Sequence, residues 1–381
     1  MVGRSVPSCC CMRTLHLYSG NLYGGIERLL VTIAQTQQLQ ADCEHEFALC
    51  FDGRLQTELQ ASGAKVHTLG QVRFRQPWTL WLANQRLRQI LRREHYDTVV
   101  THSAWVHAAF AGTVRRDHQS NLIFWKHDTP DRVHWSDRMA RRHTPDASIC
   151  NSHYTCSQTD HLFLPHPNHV VYLPVAQRHL STANRQDVRR SLQIATDEVV
   201  MLMACRLERW KGHSLLLESL SQLDRSRPWR LLIAGGVQKS SEASYLNDLQ
   251  EMVRSQQLQD RIQFLGQRSD VDALMHAADL YVQPNLRPEP FGIVFVEAML
   301  AGLPVVSTNF GGAAELIDNS CGVLVQADAT ELAAALQQLI CDTTLRKRLA
   351  KGGPARATAL CEPVRQLRQI ENVMQSARRS A

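Results

Sequence analysis

Arg287-Pro-Glu-Pro-Phe-Gly-Ile-Val-Phe-Val-Glu-Ala-Met-Leu-Ala-Gly-Leu-Pro-Val-Val306 reads as a turn, a short helix, a second turn and a buried strand. The apolar run Ile293–Leu300 is the helix, Gly302 and Pro304 stop it, and Leu303-Pro-Val-Val-Ser307 follows as a strand without polar alternation. A strand of that kind, fed by a helix, belongs to a parallel sheet covered on both faces. The amides of Phe291, Gly292 and Ile293 at the helix start have no partners within the helix and carry the positive end of its dipole, which suits a phosphate. Glu289 stands before that start and Glu297 one to two turns beyond it, so cations are needed nearby if an anion is to bind there.

The pattern extends outward in both directions. Strand-like runs at Thr14–Tyr18, Glu46–Cys50, Lys65–Leu69, Thr98–Thr101, Leu122–Trp125, Ala147–Cys150 and His169–Leu173 are separated for the most part by helical patterns or loops, with helices at about Gly25–Leu39, Leu55–Ser62 and Trp78–Glu94. A second alternation begins at Val199, with strands at Val199–Cys205, Arg230–Ala234, Ile262–Leu265, Leu280–Val282, Pro304–Ser307 and Gly322–Val325. The class is therefore α/β, with two Rossmann-like doubly wound halves, and a chain of 381 residues is long enough for two cores. The expected division is an N-terminal domain over 12–175, a linker over 176–196 containing a short helix at Arg185–Leu192, a C-terminal domain over 197–362, and a last helix at 363–381. Residues 1–11 read as a disordered extension.

The cations come from Met203-Ala-Cys-Arg-Leu-Glu-Arg-Trp-Lys-Gly-His213. A strand ending near Cys205 places Arg206 and Lys211 at the carboxyl edge of the second sheet, where α/β folds bind ligands. Arginine grips a diphosphate with a fork of donors and lysine adds a point charge.

Arg206, Lys211-Gly212, Glu289-Pro-Phe-Gly with Glu297 eight residues on, and Gly24-Gly25-Ile-Glu27 after the first strand together resemble the retaining GT-B glycosyltransferases of family 4, or group 1. The resemblance covers nearly the whole chain. It implies a GT-B fold with the site in the interdomain cleft and the last helix packed back on the first domain. It also implies transfer of a sugar from a nucleotide-diphospho-sugar donor to a saccharide, glycolipid or other glycoconjugate acceptor, without a metal or a further cofactor. The implied donor-binding residues are Gly24, Gly25, Arg206, Lys211, Glu289, Phe291, Gly292, Ile293 and Glu297, with Glu289 on the sugar hydroxyls and Glu297 on the nucleotide ribose. His127, Glu289, Arg206 and Lys211 are the implied catalytic group. His127, in Trp125-Lys-His-Asp-Thr-Pro130, occupies the position of a family histidine that faces the donor sugar, Asp128 is a candidate to orient it, and His102 ends the preceding strand. The missing Cβ is the physical reason for glycine at 24 and 25, where backbone approaches a ligand. A turn that merely needs glycine is the competing reading.

Composition narrows the alternatives. No run approaches the ~20 apolar residues that span a bilayer, and no signal-peptide core opens the chain, so a cytoplasmic protein is expected. A net charge of +6 with interspersed signs does not call for nucleic acid. Eleven cysteines are scattered without a C-x-x-C pair and read as reduced thiols. Nothing in the sequence reads as a dedicated Mg²⁺ cage, and no metal is expected. Fourteen of the seventeen histidines precede Ala176, a skew with no account in sequence. The helix with Trp78, Trp81, Leu82, Leu87, Ile90 and Leu91 and several arginines is expected to bury its apolar side in its domain; peripheral contact with an anionic membrane is the other use of such a helix. Two further functions share the motifs: a GT-B sugar-nucleotide epimerase, and a catalytically silent sugar-nucleotide-binding subunit.

Overall fold

Short apolar runs bounded by turns form thirteen strands among the described residues of the computed structural model, and all of their pairings are parallel. The structure describes residues 12–379 except 22–23, 40–42, 118, 130–133, 159–161, 164–165, 178–183 and 238. The extension read at residues 1–11 and parts of the stretches 132–145 and 176–196 lie outside the described residues.

Two units result, one of Met1–Val175 with Glu362–Ala381, the other of Ala176–Cys361. The first holds β1 (Met12–Tyr18), β2 (Cys43–Leu49), β3 (Val66–Thr68), β4 (Thr98–His102), β5 (Asn121–Lys126), β6 (Ala147–Cys150) and β7 (Asn168–Val170), ordered β3-β2-β1-β4-β5-β6-β7. The second holds β8 (Val199–Ala204), β9 (Trp229–Ala234), β10 (Ile262–Gly266), β11 (Leu280–Gln283), β12 (Val305–Thr308) and β13 (Gly322–Val325), ordered β10-β9-β8-β11-β12-β13. Each order reverses once, between β1 and β4 and between β8 and β11. At such a reversal the loops leaving neighbouring strands turn opposite ways and leave room for a ligand at the carboxyl ends.

The helix Ala104–Asp117 was not distinguished in sequence from a loop or an unassigned pattern, because Val106, His107, Phe110 and Ala111 are buried around much of its circumference and leave little amphipathic signal. The helix from Gly25 stops at Thr36 instead of Leu39, and Leu39 is exposed. The short helix Arg185–Ser191 is fastened to the second unit: Arg185 donates to the carbonyls of His276 and Ala278 and pairs with Asp279, which Arg189 also reaches. The last helix, Pro363–Arg379, belongs to the first unit. It lies against the helix Gly25–Thr36 and strands β5 and β6 and buries Leu367, Ile370 and Met374.

The helix Pro77–Glu94 departs from its expected burial. Ala83, Leu87 and Leu91 enter the core, but Trp78 and Trp81 are each 60% exposed and Leu82 is 45% exposed. Trp78, Trp81 and Leu82 therefore face away from the core, while Leu80 packs against it.

The first core contains a polar row. The parallel register sets His45 on β2, His16 on β1 and His102 on β4 within hydrogen-bonding reach, with His127 just after β5. All four are buried. Burial, and then the neighbouring rings, hold His16 and His102 well below the ordinary imidazole range, and burial brings His127 down to about 3. His107, buried in the same unit, lies at about 4 for the same first reason.

These groups are neutral in the folded chain and take up protons when it unfolds, so the unfolded state binds more protons below the unfolded value of 6.5. Stability is fully present above that value and falls as pH drops towards the folded values, by about 1.4 kcal/mol per pH unit for each proton involved. Melting temperatures measured across a pH series should be level near pH 7.5 and fall steeply below pH 6. A melting point unchanged down to pH 4.5 contradicts the neutral buried row.

Candidate functional site

In the second unit the loops after β8 and β11 are tied together. Leu286 N donates to Trp210 O at 2.7 Å, and Lys211 Nζ stands 2.6 Å from Glu289 Oε2, both side chains 12% exposed. Lys211 also lies 3.8 Å above the Trp210 ring, so a π face as well as a carboxylate meets the ammonium. The same carboxylate oxygen accepts from Asn285 Nδ2 at 3.2 Å and Gln283 Nε2 at 3.4 Å. Sequence reasoning missed Gln283 and Asn285. The signal was there in retrospect, since a buried polar side chain at the end of an apolar strand must meet a partner.

Arg206 is separate from that pair. Its Nη1 bonds Glu208 Oε1 at 3.1 Å and its side chain is 39% exposed, so its guanidinium keeps one face towards solvent and its donors are not all spent. The sequence reading placed Arg206 and Lys211 together at the sheet edge, the first as a fork of donors and the second as a point charge; the structure gives them different carboxylates.

Backbone geometry fixes where Glu289 sits. Gly311 and Gly312, at the next strand-to-helix turn, hold its main chain: Gly312 N donates to Glu289 O at 2.7 Å, and Gly311 bridges Glu289 in parallel. A Cβ on Gly311, at φ +57°, would meet Glu289 O at 2.5 Å. Gly212 follows Lys211 at φ +81°, and a Cβ there would lie 1.7 Å from Pro284 O, so two loops close only over glycine. Gly292, at φ +95°, precedes the helix Ile293–Leu300, and its carbonyl accepts from Phe295 N at 2.9 Å. Phe291 and Ile293 are buried on either side of it.

Glu297 faces a different environment from Glu289. It lines a pocket with Leu300, Ala301, Val271, Asp272, Met275, Ala176 and Gln177. The two acids thus serve separate surroundings, and the apolar rim around Glu297 fits a flat or aliphatic body beside a hydroxyl-bearing group.

In the first unit, Gly24 begins the helix Gly25–Thr36. Its N–H donates to Glu27 Oε2 at 2.7 Å, and Glu27, buried, takes the Tyr18 hydroxyl on its other oxygen at 2.7 Å. Glycine is not required at 24 by the chain itself: φ is −168°, ordinary extended backbone, and a Cβ would meet only Glu27 Oε2 at 3.6 Å. This separates Gly24 from Gly212 and Gly311, whose need for glycine is internal. Gly25, the first helical residue, is exposed.

His127 is oriented by a neighbour other than the one expected. Its Nε2 lies 2.9 Å from His102 Nδ1, the rings stack at 12°, and Asp128, exposed, makes no bond to it. His127 Nδ1 is buried and has no hydrogen-bond partner among the described residues. His102, the last residue of β4, is wholly buried.

The two glycine classes yield a contrast. Gly212→Ala should lower the melting temperature markedly, because both the left-handed φ and the approach of Pro284 oppose a side chain. Gly24→Ala should leave melting within about 0.5 kcal/mol of wild type while reducing ligand binding. Thermal denaturation with and without a nucleotide sugar checks both, and a Gly24→Ala chain that melts as early as Gly212→Ala rules out the distinction.

Two sequence families divide the chain between them. The one described as Glycosyltransferase Family 4 matches residues 23–177, and Glycosyl transferases group 1 matches residues 184–356. A D-inositol 3-phosphate glycosyltransferase of Corynebacterium diphtheriae is 32% identical over 49% of this chain and 43% of its own length, so the match spans less than half of that relative. A GDP-mannose-dependent monoacylated alpha-(1-6)-phosphatidylinositol monomannoside mannosyltransferase of Corynebacterium glutamicum is 26% identical over 76% of this chain and 79% of its own. The crystal structure of Anabaena HepE in complex with UDP and glucose is similar at a TM-score of 0.83 and 26% identity, covering 96% of this chain and all of that one. Sucrose-phosphate synthase of Thermosynechococcus elongatus shares the fold at a TM-score of 0.80. With both halves matched in order and the sheets arranged as described, the chain belongs to the group 1 glycosyltransferases of the GT-B fold.

Proposed function

We propose that the protein is a retaining glycosyltransferase that moves a sugar from a nucleotide-diphospho-sugar to a hydroxyl of a saccharide, glycolipid or other glycoconjugate. The observation that carries this reading is the partly buried pair of Lys211 and Glu289, 2.6 Å apart at the carboxyl ends of β8 and β11. An ammonium held against one carboxylate oxygen offers its other protons to a phosphate, and the second carboxylate oxygen remains an acceptor for sugar hydroxyls.

In the proposed reaction the bond between the anomeric carbon and the phosphate oxygen breaks, and its electron pair leaves with the diphosphate. The acceptor oxygen bonds to the same carbon from the same face, and its proton passes to the departing phosphate oxygen. Lys211, Arg206 and the amides around Gly292 stabilise the negative charge that develops on the leaving group, which is catalysis by preorganised electrostatics without a metal. Glu289 grips the donor sugar, Glu297 the ribose in its apolar-rimmed pocket, and His127 Nδ1 a sugar hydroxyl. The backbone at Gly24 and Gly25 meets the phosphate or the acceptor. The relatives support the donor class: one was crystallised with UDP and glucose, and another is GDP-mannose-dependent, so the nucleoside diphosphate is the shared element.

Nucleotide release in the presence of a panel of nucleotide sugars and acceptors tests the proposal. Glu289→Ala and Lys211→Ala should each lower turnover by about a hundredfold or more, with folding monitored separately, since removing one partner of a partly buried pair also costs up to about 3–5 kcal/mol. Undiminished turnover in both folded variants refutes it. Donor conversion without any acceptor points to the epimerase, and tight binding without turnover to the silent subunit.

We further propose that the first unit rests peripherally on an anionic membrane at the inner face of the cell. No helix among the described residues is long and apolar enough to cross one. Trp78 and Trp81 stand outward, Phe74 packs edge-on against Trp105 and the exposed Trp135, and exposed Arg73, Arg75 and Arg92 add positive charge. Aromatic rings beside arginines suit the boundary of lipid headgroups and acyl chains. Flotation with vesicles containing phosphatidylglycerol should carry the wild type upward and leave a Trp78→Ala, Trp81→Ala double variant behind; equal flotation of both excludes this surface.

A further inference from the structure

The row of histidines crosses the first sheet without a break. Glu371 Oε1, on the last helix, lies 3.2 Å from His45 Nε2; His45 Nδ1 lies 2.9 Å from His16 Nε2; His16 Nδ1 lies 2.9 Å from His102 Nε2; and His102 Nδ1 lies 2.9 Å from His127 Nε2. Both ring nitrogens of three consecutive imidazoles are thereby used, and the fourth ends on the buried, unpartnered Nδ1. Three strands, the residue after a fourth and a helix remote in sequence supply the members.

A neutral imidazole has one donor nitrogen and one acceptor nitrogen. Fixing the direction of one bond in the row consequently fixes them all. A carboxylate only accepts, so His45 Nε2–H donates to Glu371, and His45 Nδ1 must accept from His16 Nε2–H. In turn His16 Nδ1 accepts from His102 Nε2–H, and His102 Nδ1 from His127 Nε2–H. His127 Nδ1 is left as a bare lone pair.

We propose that Glu371 is a positioning residue for the active site: through His45, His16 and His102 it sets the tautomer of His127, so that Nδ1 meets a donor-sugar hydroxyl as a hydrogen-bond acceptor. This rests on the reading of His127 as a sugar-facing residue. One added proton would invert the row. It enters at His127 Nδ1, each Nε2 proton passes to the next Nδ1, and the positive charge emerges as an imidazolium at His45 beside Glu371, leaving His127 a donor. Few other titratable groups face the row. Cys43 lies at the His45 end, its Sγ 3.2 Å from Thr14 Oγ1. Tyr18 stands edge-on to His102 at 6.3 Å and gives its hydroxyl proton to Glu27. Beside His127 in the chain, Lys126 donates to Gln158 O at 2.5 Å, and Asp128 is exposed. Burial of His16, His102 and His127 disfavours a proton on those rings at neutral pH, which keeps the acceptor state.

The test uses the full chain labelled with ¹⁵N-histidine, with long-range ¹H–¹⁵N correlation to read each tautomer and His127→Gln to assign the His127 signals. Wild type near pH 7.5 should show His127 protonated at Nε2 and bare at Nδ1; protonated Nδ1 overturns the proposal without any variant. Glu371→Gln places an amide that both donates and accepts at the end of the row. His127 should then lose its single tautomer, and kcat for transfer should fall about tenfold, the worth of one uncharged hydrogen bond, with KM for the nucleotide sugar unchanged. Met374→Leu, on the same buried helix face, should alter neither tautomer nor kcat. An unchanged His127 tautomer in folded Glu371→Gln overturns the proposal. So does elemental analysis showing a stoichiometric metal on Cys43, His45 and Glu371, whose ligand atoms lie within 4.8 Å of one another. A switched tautomer with undiminished kcat leaves the row standing and removes instead the reading of His127 as sugar-facing.

Discussion

A parallel sheet covered on both faces has no water in its interior, so every polar side chain placed there must find its partner within the protein. That constraint organises both halves of this chain. In the second unit Gln283 and Asn285, at the end of a buried strand, converge with Lys211 on one oxygen of Glu289. In the first, the buried imidazoles of His16, His45 and His102 satisfy one another and leave a single unmatched nitrogen at His127. Both arrangements deliver an oriented polar atom to the carboxyl side of a sheet near its reversal, which is where such folds bind ligands.

The sheets, the last helix and the turn around Gly292 were legible because their signals are local: short apolar runs, glycine and proline stops, and a helix start. Strand ends were less so. Met12–Arg13 and Cys43–His45 belong to β1 and β2 although arginine and histidine interrupt the apolar pattern, because pairing with a neighbour decides the matter. The helix Ala104–Asp117 was not singled out, since a helix buried around much of its circumference loses the periodicity that would announce it. Burial of Trp78 and Trp81 was expected and did not occur; periodicity tells which residues share a face but not how far along the helix the domain extends to cover it.

Site residues divide in the same manner. Lys211 and Glu289 could be proposed from motif spacing, and the structure brings them to 2.6 Å. Gln283 and Asn285 support Glu289 through side-chain amides, and Gly311 and Gly312 through main-chain contacts that sequence does not display. The crowding of histidines ahead of Ala176 had no reading as a sequence. Its meaning in part is a register: His16, His45 and His102 occupy adjacent parallel strands, and only the pairing Thr14 to His45 and His16 to Val100 makes their rings meet.

Glycine shows how the two kinds of demand can be told apart. Gly212, Gly292 and Gly311 sit at positive φ, and a Cβ on any of them would strike the protein's own atoms within 2.5 Å; their presence says that loops must close tightly around Glu289 and Lys211. Gly24 has neither property, yet it stands at the start of a helix directly after the central strand of the first sheet, with its amide already engaged by Glu27. A residue that the fold would accept as alanine is not held as glycine by the chain's own geometry. The tight glycines therefore report on how the loops around Glu289 and Lys211 are built, whereas position 24 carries no such demand from the fold.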